Sequence, residues 1–243
     1  MRYGAKGSNM KIQGSVVLVT GANRGLGLEF AKQALALGAA KVYAGARDLS
    51  QVTLPGVTAV KLDVTSAADV AAATAQCHDV TLLINNAGIG RLGGLVKGDA
   101  VAALREQLET NLFGMLNVSR AFADVLGRNG GGAMLNLLSL FSWVNTPMIG
   151  GYGVSKAAAW ALTNGIRHEL RAQGTQVVGF HAGLIDTDMV RSFPGPKSTP
   201  EDVVRQSFAA IEAGEQEVLV DGGTRQVKAA LSQSVYLSDV MAG

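Results

Sequence analysis

The feature that most constrains this chain is a junction near its start. Val16-Val17-Leu18-Val19 is apolar throughout and runs directly into Thr20-Gly21-Ala22-Asn23-Arg24-Gly25-Leu26-Gly27. An apolar run without polar alternation reads as a strand buried on both faces, and such strands belong to parallel sheets covered by helices. The glycines permit a turn at positive φ. They also let the backbone approach an anion closely at a helix N-terminus, where amides and dipole favour negative charge. Leu26 to Leu37 is predicted as that helix, with Gly38 as its C-cap. The spacing is Gly-x3-Gly-x-Gly, and its weight comes from its place after the first strand, since any tight turn can be glycine-rich.

The alternation continues along the chain. Strands are predicted at Lys41–Gly45, Val57–Leu62, Thr81–Ile84, Ala133–Leu138, Gln176–Phe180 and Val218–Val220. Between them lie helical stretches at Ala67–Gln76, Val101–Leu126, Val154–Ala172 and Pro200–Ala213, the last with its proline suitably at the start. Repeated β-α-β units with right-handed crossovers give a doubly wound α/β sheet of about seven parallel strands with helices on both faces. No repeat, linker or low-complexity segment divides it, so residues 11–243 read as one domain, with a short substrate loop near 184–199. Residues 1–10 lack the apolar core of a signal peptide. They read as a vector remnant or a loose arm, with Met10 as the natural start.

Composition narrows the function. The formal net charge is +2, with acids and bases interspersed and no basic stripe for nucleic acid. No segment is long and apolar enough to span a bilayer. The single cysteine, Cys77, rules out an intramolecular disulfide and fits a cytoplasmic protein. His78, His168 and His181 are scattered without ligand spacing, so no metal is expected.

Tyr152-Gly153-Val154-Ser155-Lys156 places a phenol and an ammonium four residues apart, on one helix face. Exchange of a proton with an alcohol or carbonyl needs a group active near neutral pH. Lowering a tyrosine by three pKa units takes roughly 4 kcal/mol, about what one ammonium ~4 Å away supplies at an effective dielectric of 20. Alone, the pattern is weak; its company matters. Ser139 ends the fifth strand, where open α/β sheets present ligands, and its hydroxyl could bond a substrate oxygen. Ser142 is a nearby rival. Asn85-Asn86-Ala87-Gly88 follows the fourth strand, either lining a cleft or simply turning. Asn111 is an amide inside a helical stretch and needs a partner if buried.

In this order and spacing the chain resembles the short-chain dehydrogenase/reductase family. The matching features are T-G-x3-G-x-G at Thr20 to Gly27, Asp63-Val64, N-N-A-G at Asn85 to Gly88, Asn111, Ser139 and Y-x-x-x-K at Tyr152 to Lys156, and the resemblance runs from about Met10 to Gly223. It implies a Rossmann-type fold and hydride transfer between a nicotinamide cofactor and a carbonyl or secondary alcohol. It further implies Tyr152 as acid/base, Lys156 lowering its pKa and holding ribose hydroxyls, Ser139 orienting the substrate oxygen, and Asn111 positioning a water. Gly21, Asn23, Arg24, Gly25, Leu26 and Gly27 would hold the pyrophosphate end. Asp63 and Val64 would hold the adenine, while Asn86, Ala87 and Gly88 line the cofactor. Gly183, Ile185 and Thr187 would lie near the carboxamide. The family usually has Pro-Gly where this chain has Ala182-Gly183, so a more flexible backbone is expected there. Family members commonly form homotetramers or homodimers through the two long helices.

The cofactor expected is NADP(H). An acid at the end of the second strand would bind ribose hydroxyls and repel a 2′-phosphate, but that position holds Ala46, followed by Arg47. Two guanidiniums, Arg24 and Arg47, could clamp the phosphate; Asp48 is a competing acid one residue away. The substrate wall is expected from Leu140–Gly151 and Leu184–Phe193, where Phe141, Trp143, Met148, Met189 and Phe193 point to a hydrophobic ketone or pack into the core. The alternatives are a reductase of 3-oxoacyl groups on a carrier protein, with Arg120 and Arg171 as docking candidates, and a non-catalytic NADP(H)-binding sensor.

Overall fold

The computed structural model describes residues 10–191, 193 and 195–240. Of the proposed remnant or arm at residues 1–10, residues 1–9 lie outside the described residues. Seven parallel strands form one sheet: β1 (Val16–Thr20), β2 (Lys41–Ala46), β3 (Thr58–Lys61), β4 (Leu82–Asn85), β5 (Ala133–Leu137), β6 (Gln176–His181) and β7 (Glu217–Leu219), in the order β3-β2-β1-β4-β5-β6-β7. The order reverses between β1 and β4, which opens a crevice at their carboxyl ends.

Alternate residues along each strand serve opposite faces. Val17, Val19, Leu82, Ile84, Leu135 and Phe180 join one core with Phe30, Ala31 and Ala34 of helix α1 (Gly25–Ala36) and Val203, Val204, Phe208 and Ile211 of α6 (Pro200–Glu212). Phe30 and Phe208 meet edge to face, ring centroids 5.6 Å apart, worth about 0.5–1.5 kcal/mol beyond the area they bury. Leu18, Leu83, Met134 and Val177 join the other core with α2 (Ala67–Gln76), α4 (Met115–Arg128) and α5 (Gly150–Glu169). Local signals set the ends. Ser66 Oγ accepts from Asp69 N at 3.2 Å to cap α2, Thr199 caps α6 ahead of Pro200, and Gly38 leaves α1 at φ +80°.

Four elements depart from the sequence reading as follows. The stretch Val101–Leu126 is α3 (Ala100–Leu108), a π-helical turn at Glu109–Gly114, then α4. Asn111 lies inside this widened turn, an amide that periodicity treats as one more helix position. Helix α5 starts at Gly150, four residues ahead of the predicted Val154, with Tyr152 in its first turn, and β5 stops at Leu137, two residues short of Ser139. A further helix, α7 (Gly222–Ala229), and two short turns fill the region after β7.

Candidate active site

A cleft of about 700 Å³ opens at the carboxyl ends of the strands. Gly21, Asn23, Arg24, Gly25, Leu26 and Gly27 line it from the first turn, and Arg47, Asp63, Val64, Asn86, Ala87 and Gly88 from the next three. Ser139, Tyr152, Lys156, Gly183, Ile185 and Thr187 close the other side. Asn111 is fully buried beneath it. The sequence-predicted residues are therefore gathered in one place.

The glycine loop fits an anionic dinucleotide on structural grounds. Gly21 and Gly25 take φ of +66° and +53°, which side chains resist. A methyl on Gly27 would run into the Gly21 carbonyl oxygen and the Asn86 side chain. Helix α1 has no side-chain cap and no acid in its first turn, so its leading amides and dipole face the cleft uncompensated. Thr20, which sequence reasoning passed over, ties this loop to the next. Its hydroxyl accepts from Asn86 N at 3.0 Å and Ala87 N at 2.9 Å. Its place at the strand end, ahead of the first glycine, was the available signal.

The charges sort cleanly at the far end. Asn23 Nδ2 donates to Gln51 Oε1 at 2.8 Å, linking the glycine loop to the turn after β2. Asp48 turns back on that turn, accepting from Ser50 N at 3.0 Å, Ser50 Oγ at 2.7 Å and Gln51 Nε2 at 3.1 Å. These bonds hold its carboxyl below the usual range. Arg24 and Arg47 line the cleft and Asp48 does not. Burial works against the charge of Asp63, but bonds from Thr65 and the nearby Arg47 and Lys61 hold its pKa down.

At the reacting end, Tyr152 bonds with Ser139. Lys156, 5% exposed, gives its Nζ to Leu137 O at 2.8 Å and sits 5.7 Å from the Tyr152 ring centroid. Burial pushes the phenol up to about 12, against the Ser139 bond, and draws the ammonium down to about 8. The depressed tyrosine expected from the sequence is thus not produced by the chain alone. The lysine's hydrogen bond goes to Leu137, and desolvation disfavours both charges. Asn111 Oδ1 accepts from Ile89 N at 2.8 Å, and its Nδ2 donates to Ile89 O and Ser155 Oγ, each at 2.9 Å. A π turn at a functional site with a fully engaged amide pins the segment after N-N-A-G.

Other sequence assignments move. Ser142 is no rival to Ser139: its Oγ accepts from Ser139 N at 3.2 Å and holds it in place. Phe141 is buried in a cluster that Phe193 packs against, and Trp143 stacks on His181; of the five expected wall residues only Met189 lines the cleft. The segment at Ala182-Gly183 is tied without the proline, since Leu140 N donates to Ala182 O at 2.8 Å and Gly183 N to Asp221 Oδ2 at 2.8 Å. Arg91, three residues after N-N-A-G, was missed; it lines the cleft beside Glu106, at 2.6 and 2.9 Å.

Residues 15–197 match the profile of the family described as short chain dehydrogenase. The chain belongs to that family. It is similar to galactitol 2-dehydrogenase (L-tagatose-forming) of Cereibacter sphaeroides, 33% identical over 190 residues, 74% of each chain. It is also similar to 3alpha-hydroxysteroid dehydrogenase of Mediterraneibacter gnavus, 29% identical over 219 residues, 84% of this chain and 85% of that one. A short chain dehydrogenase from Burkholderia cenocepacia, solved in complex with NADP, superposes with a TM-score of 0.91 at 38% identity, covering 96% of this chain and all of the other. The protein is accordingly an oxidoreductase of the nicotinamide-dependent short-chain class. Among the described residues no helix is long and apolar enough to cross a membrane.

Proposed function

We propose that the protein reduces a hydrophobic ketone with NADPH, Tyr152 giving the proton. The observation that carries this reading is the meeting of Tyr152, Ser139 and Lys156 at one end of a cleft whose other end holds Arg24 and Arg47. A bound reduced nicotinamide supplies the hydride. Ser139 orients the carbonyl oxygen, and Tyr152, protonated at neutral pH with its pKa near 12, stands ready to donate. Lys156 holds ribose hydroxyls and lies close enough to stabilise the phenolate left after transfer. Asn111 has spent both N–H donors on the protein, so a relay water there falls to its main chain. Arg24 and Arg47 take the 2′-phosphate by charge-assisted bonds, Asp63 and Val64 the adenine, Asn86, Ala87 and Gly88 the ribose side, and Gly183, Ile185 and Thr187 the carboxamide. The complex of the Burkholderia cenocepacia relative with NADP supports the choice of cofactor.

Ile89, Leu138, Met189 and Val190 make the substrate end largely apolar, and a hydroxysteroid dehydrogenase among the relatives supports a bulky apolar substrate. Arg91 and Glu106 in the same cleft favour a second reading, a polyhydroxylated substrate, in line with the galactitol dehydrogenase. Absorbance of reduced nicotinamide tests both, with NADPH and NADH against cyclic, aromatic and sugar-derived ketones. NADPH is expected to be oxidised well above NADH, and Tyr152→Phe to lower kcat by about 10²–10⁴-fold. Equal rates with both cofactors, or an active Tyr152→Phe, would remove the reading.

A further inference from the structure

His181 ends β6 and is fully buried. Its Nδ1 lies 3.0 Å from the carbonyl oxygen of Ser139. A carbonyl only accepts, so Nδ1 carries the proton and Nε2 the bare lone pair. Nε2 is 4.0 Å from Glu217 Oε1 and meets no hydrogen-bond donor among the described residues. The ring stacks on Trp143, centroids 4.0 Å apart and planes inclined 20°. Lys228 of α7 lies 5.5 Å above the centroid of the same tryptophan and pairs with Glu217 of β7.

The stack alone does not call for a histidine. A phenylalanine would lie on Trp143 equally well and would bury no bare nitrogen. What the imidazole adds is one N–H, aimed at the peptide of Ser139. That residue is otherwise held at its N–H by Ser142 Oγ at 3.2 Å and at its carbonyl by Ser142 N at 3.0 Å, while its own Oγ accepts from Phe141 N at 3.2 Å, reaches Ala182 O at 3.4 Å and bonds with Tyr152. His181 thus gives the Ser139 carbonyl a second donor beside Ser142 N, from a different strand.

We propose that His181 is a positioning residue: its Nδ1–H holds the Ser139 carbonyl and thereby sets the serine hydroxyl against Tyr152. The inference rests on the reading of Ser139 and Tyr152 as the working pair. The imidazole does this as a neutral ring. The charged groups facing it are Glu217 from β7, Lys228 from α7, and Arg167 and Lys156 from α5; burial together with the three cations draws its pKa down to about 4.

The test uses His181→Phe, which keeps the stack and removes the donor, and His181→Asn, whose amide N–H can replace Nδ1–H while the stack is lost. With NADPH and the best ketone, kcat falls about tenfold in the phenylalanine variant, because a misplaced Ser139 hydroxyl misaligns the substrate oxygen. The Kd for NADPH stays within about twofold, since His181 itself does not line the cleft. The asparagine variant returns kcat to within about threefold of the parent, although it melts lower than the phenylalanine variant. Unchanged kcat in His181→Phe, or losses that follow melting temperature rather than the donor, overturn the proposal. Nitrogen NMR of the parent gives a readout independent of turnover: His181 shows the Nδ1–H tautomer, constant from pH 5.5 to 8, and the Ser139 carbonyl carbon shifts in His181→Phe and returns in His181→Asn. An Nε2–H tautomer overturns the proposal outright. A parent that reduces no ketone breaks the reductase reading instead, and the tautomer and carbonyl shift then decide the positioning claim alone.

Discussion

The two sides of the cleft are built by different means. On the side of β1 to β4, the chain shapes the site with short turns, and what matters is largely the absence of atoms: glycines at positive φ, a helix end without a cap, a loop packed so closely that one methyl would collide with it. On the side of β5 to β7, single side chains do the shaping from a distance in sequence. Asp221 reaches back to Gly183 N, His181 to the Ser139 carbonyl, and Glu217 and Lys228 close over Trp143. The first side is a property of the backbone and suits a cofactor shared by a whole family. The second depends on particular residues and suits what varies, the substrate and the exact placing of the acid.

The sharpest way to break this contrast is to add the same methyl on each side. Gly27→Ala forces a Cβ against the Gly21 carbonyl and Asn86. Overpacking of this kind costs about 1–3 kcal/mol, and because the collision distorts the pyrophosphate turn itself, NADPH affinity is expected to fall more than tenfold. At Gly183 the new Cβ would meet only the Asp221 carboxylate, at 3.7 Å, an ordinary contact. Gly183→Ala should therefore leave the urea midpoint near that of the parent. Calorimetric titration with NADPH and urea melts of both variants check it. Equal damage at the two glycines would show that both sides are backbone-built.

The same division explains what could be read from the chain before its structure. Turns that work through the backbone leave local signatures: T-G-x3-G-x-G, Asp63-Val64 and N-N-A-G each announce themselves within a few residues, and their strands alternate with helices at regular spacing. Asn111 was legible as a position but not as part of a π turn, because its partners, Ile89 and Ser155, lie 22 and 44 residues away and leave no local pattern. Phe141 and Trp143 looked like pocket wall because aromatic residues in a loop beside a catalytic serine can face either way; the cluster with Ile149 and the stack on His181 turned them inward. His181 looked like a stray histidine, since its partner is 42 residues upstream. Asp221 gave no signal in the sequence, since one carboxylate makes no pattern.

A comparable effect, confined to the choice of cofactor, is expected from charge at the far end. Arg47→Asp replaces a guanidinium facing the cleft with an acid, while Asp48 remains occupied with Ser50 and Gln51. Hydrogen bonds to charged groups contribute about 1.5–3 kcal/mol, so the ratio of kcat/KM for NADPH over NADH should drop by about 10–100-fold with little change in melting temperature. An unchanged ratio would move recognition of the 2′-phosphate away from Arg47 and leave the first side of the cleft without its specificity element.

The smallest effect tests the second side where it meets the cofactor. Asp221 caps α7 by accepting from Thr224 N at 2.7 Å, and with the same carboxylate holds Gly183 N at 2.8 Å. One residue therefore couples the last helix to the segment beside the expected carboxamide. Asp221→Ala removes a cap worth about 0.5–2 kcal/mol, and the melting temperature should fall by a few degrees. If Gly183 is held only by this bond, KM for NADPH rises by about two- to fivefold with it, the penalty of one unpaired amide. Asp221→Asn separates the two roles, since its side-chain carbonyl can accept from Thr224 or from Gly183 but its amide repels the other N–H. A variant that regains stability but not KM shows the carbonyl spent on the helix. The converse shows that Gly183 has the stronger claim, and that the second side, too, places the cofactor through a single side chain.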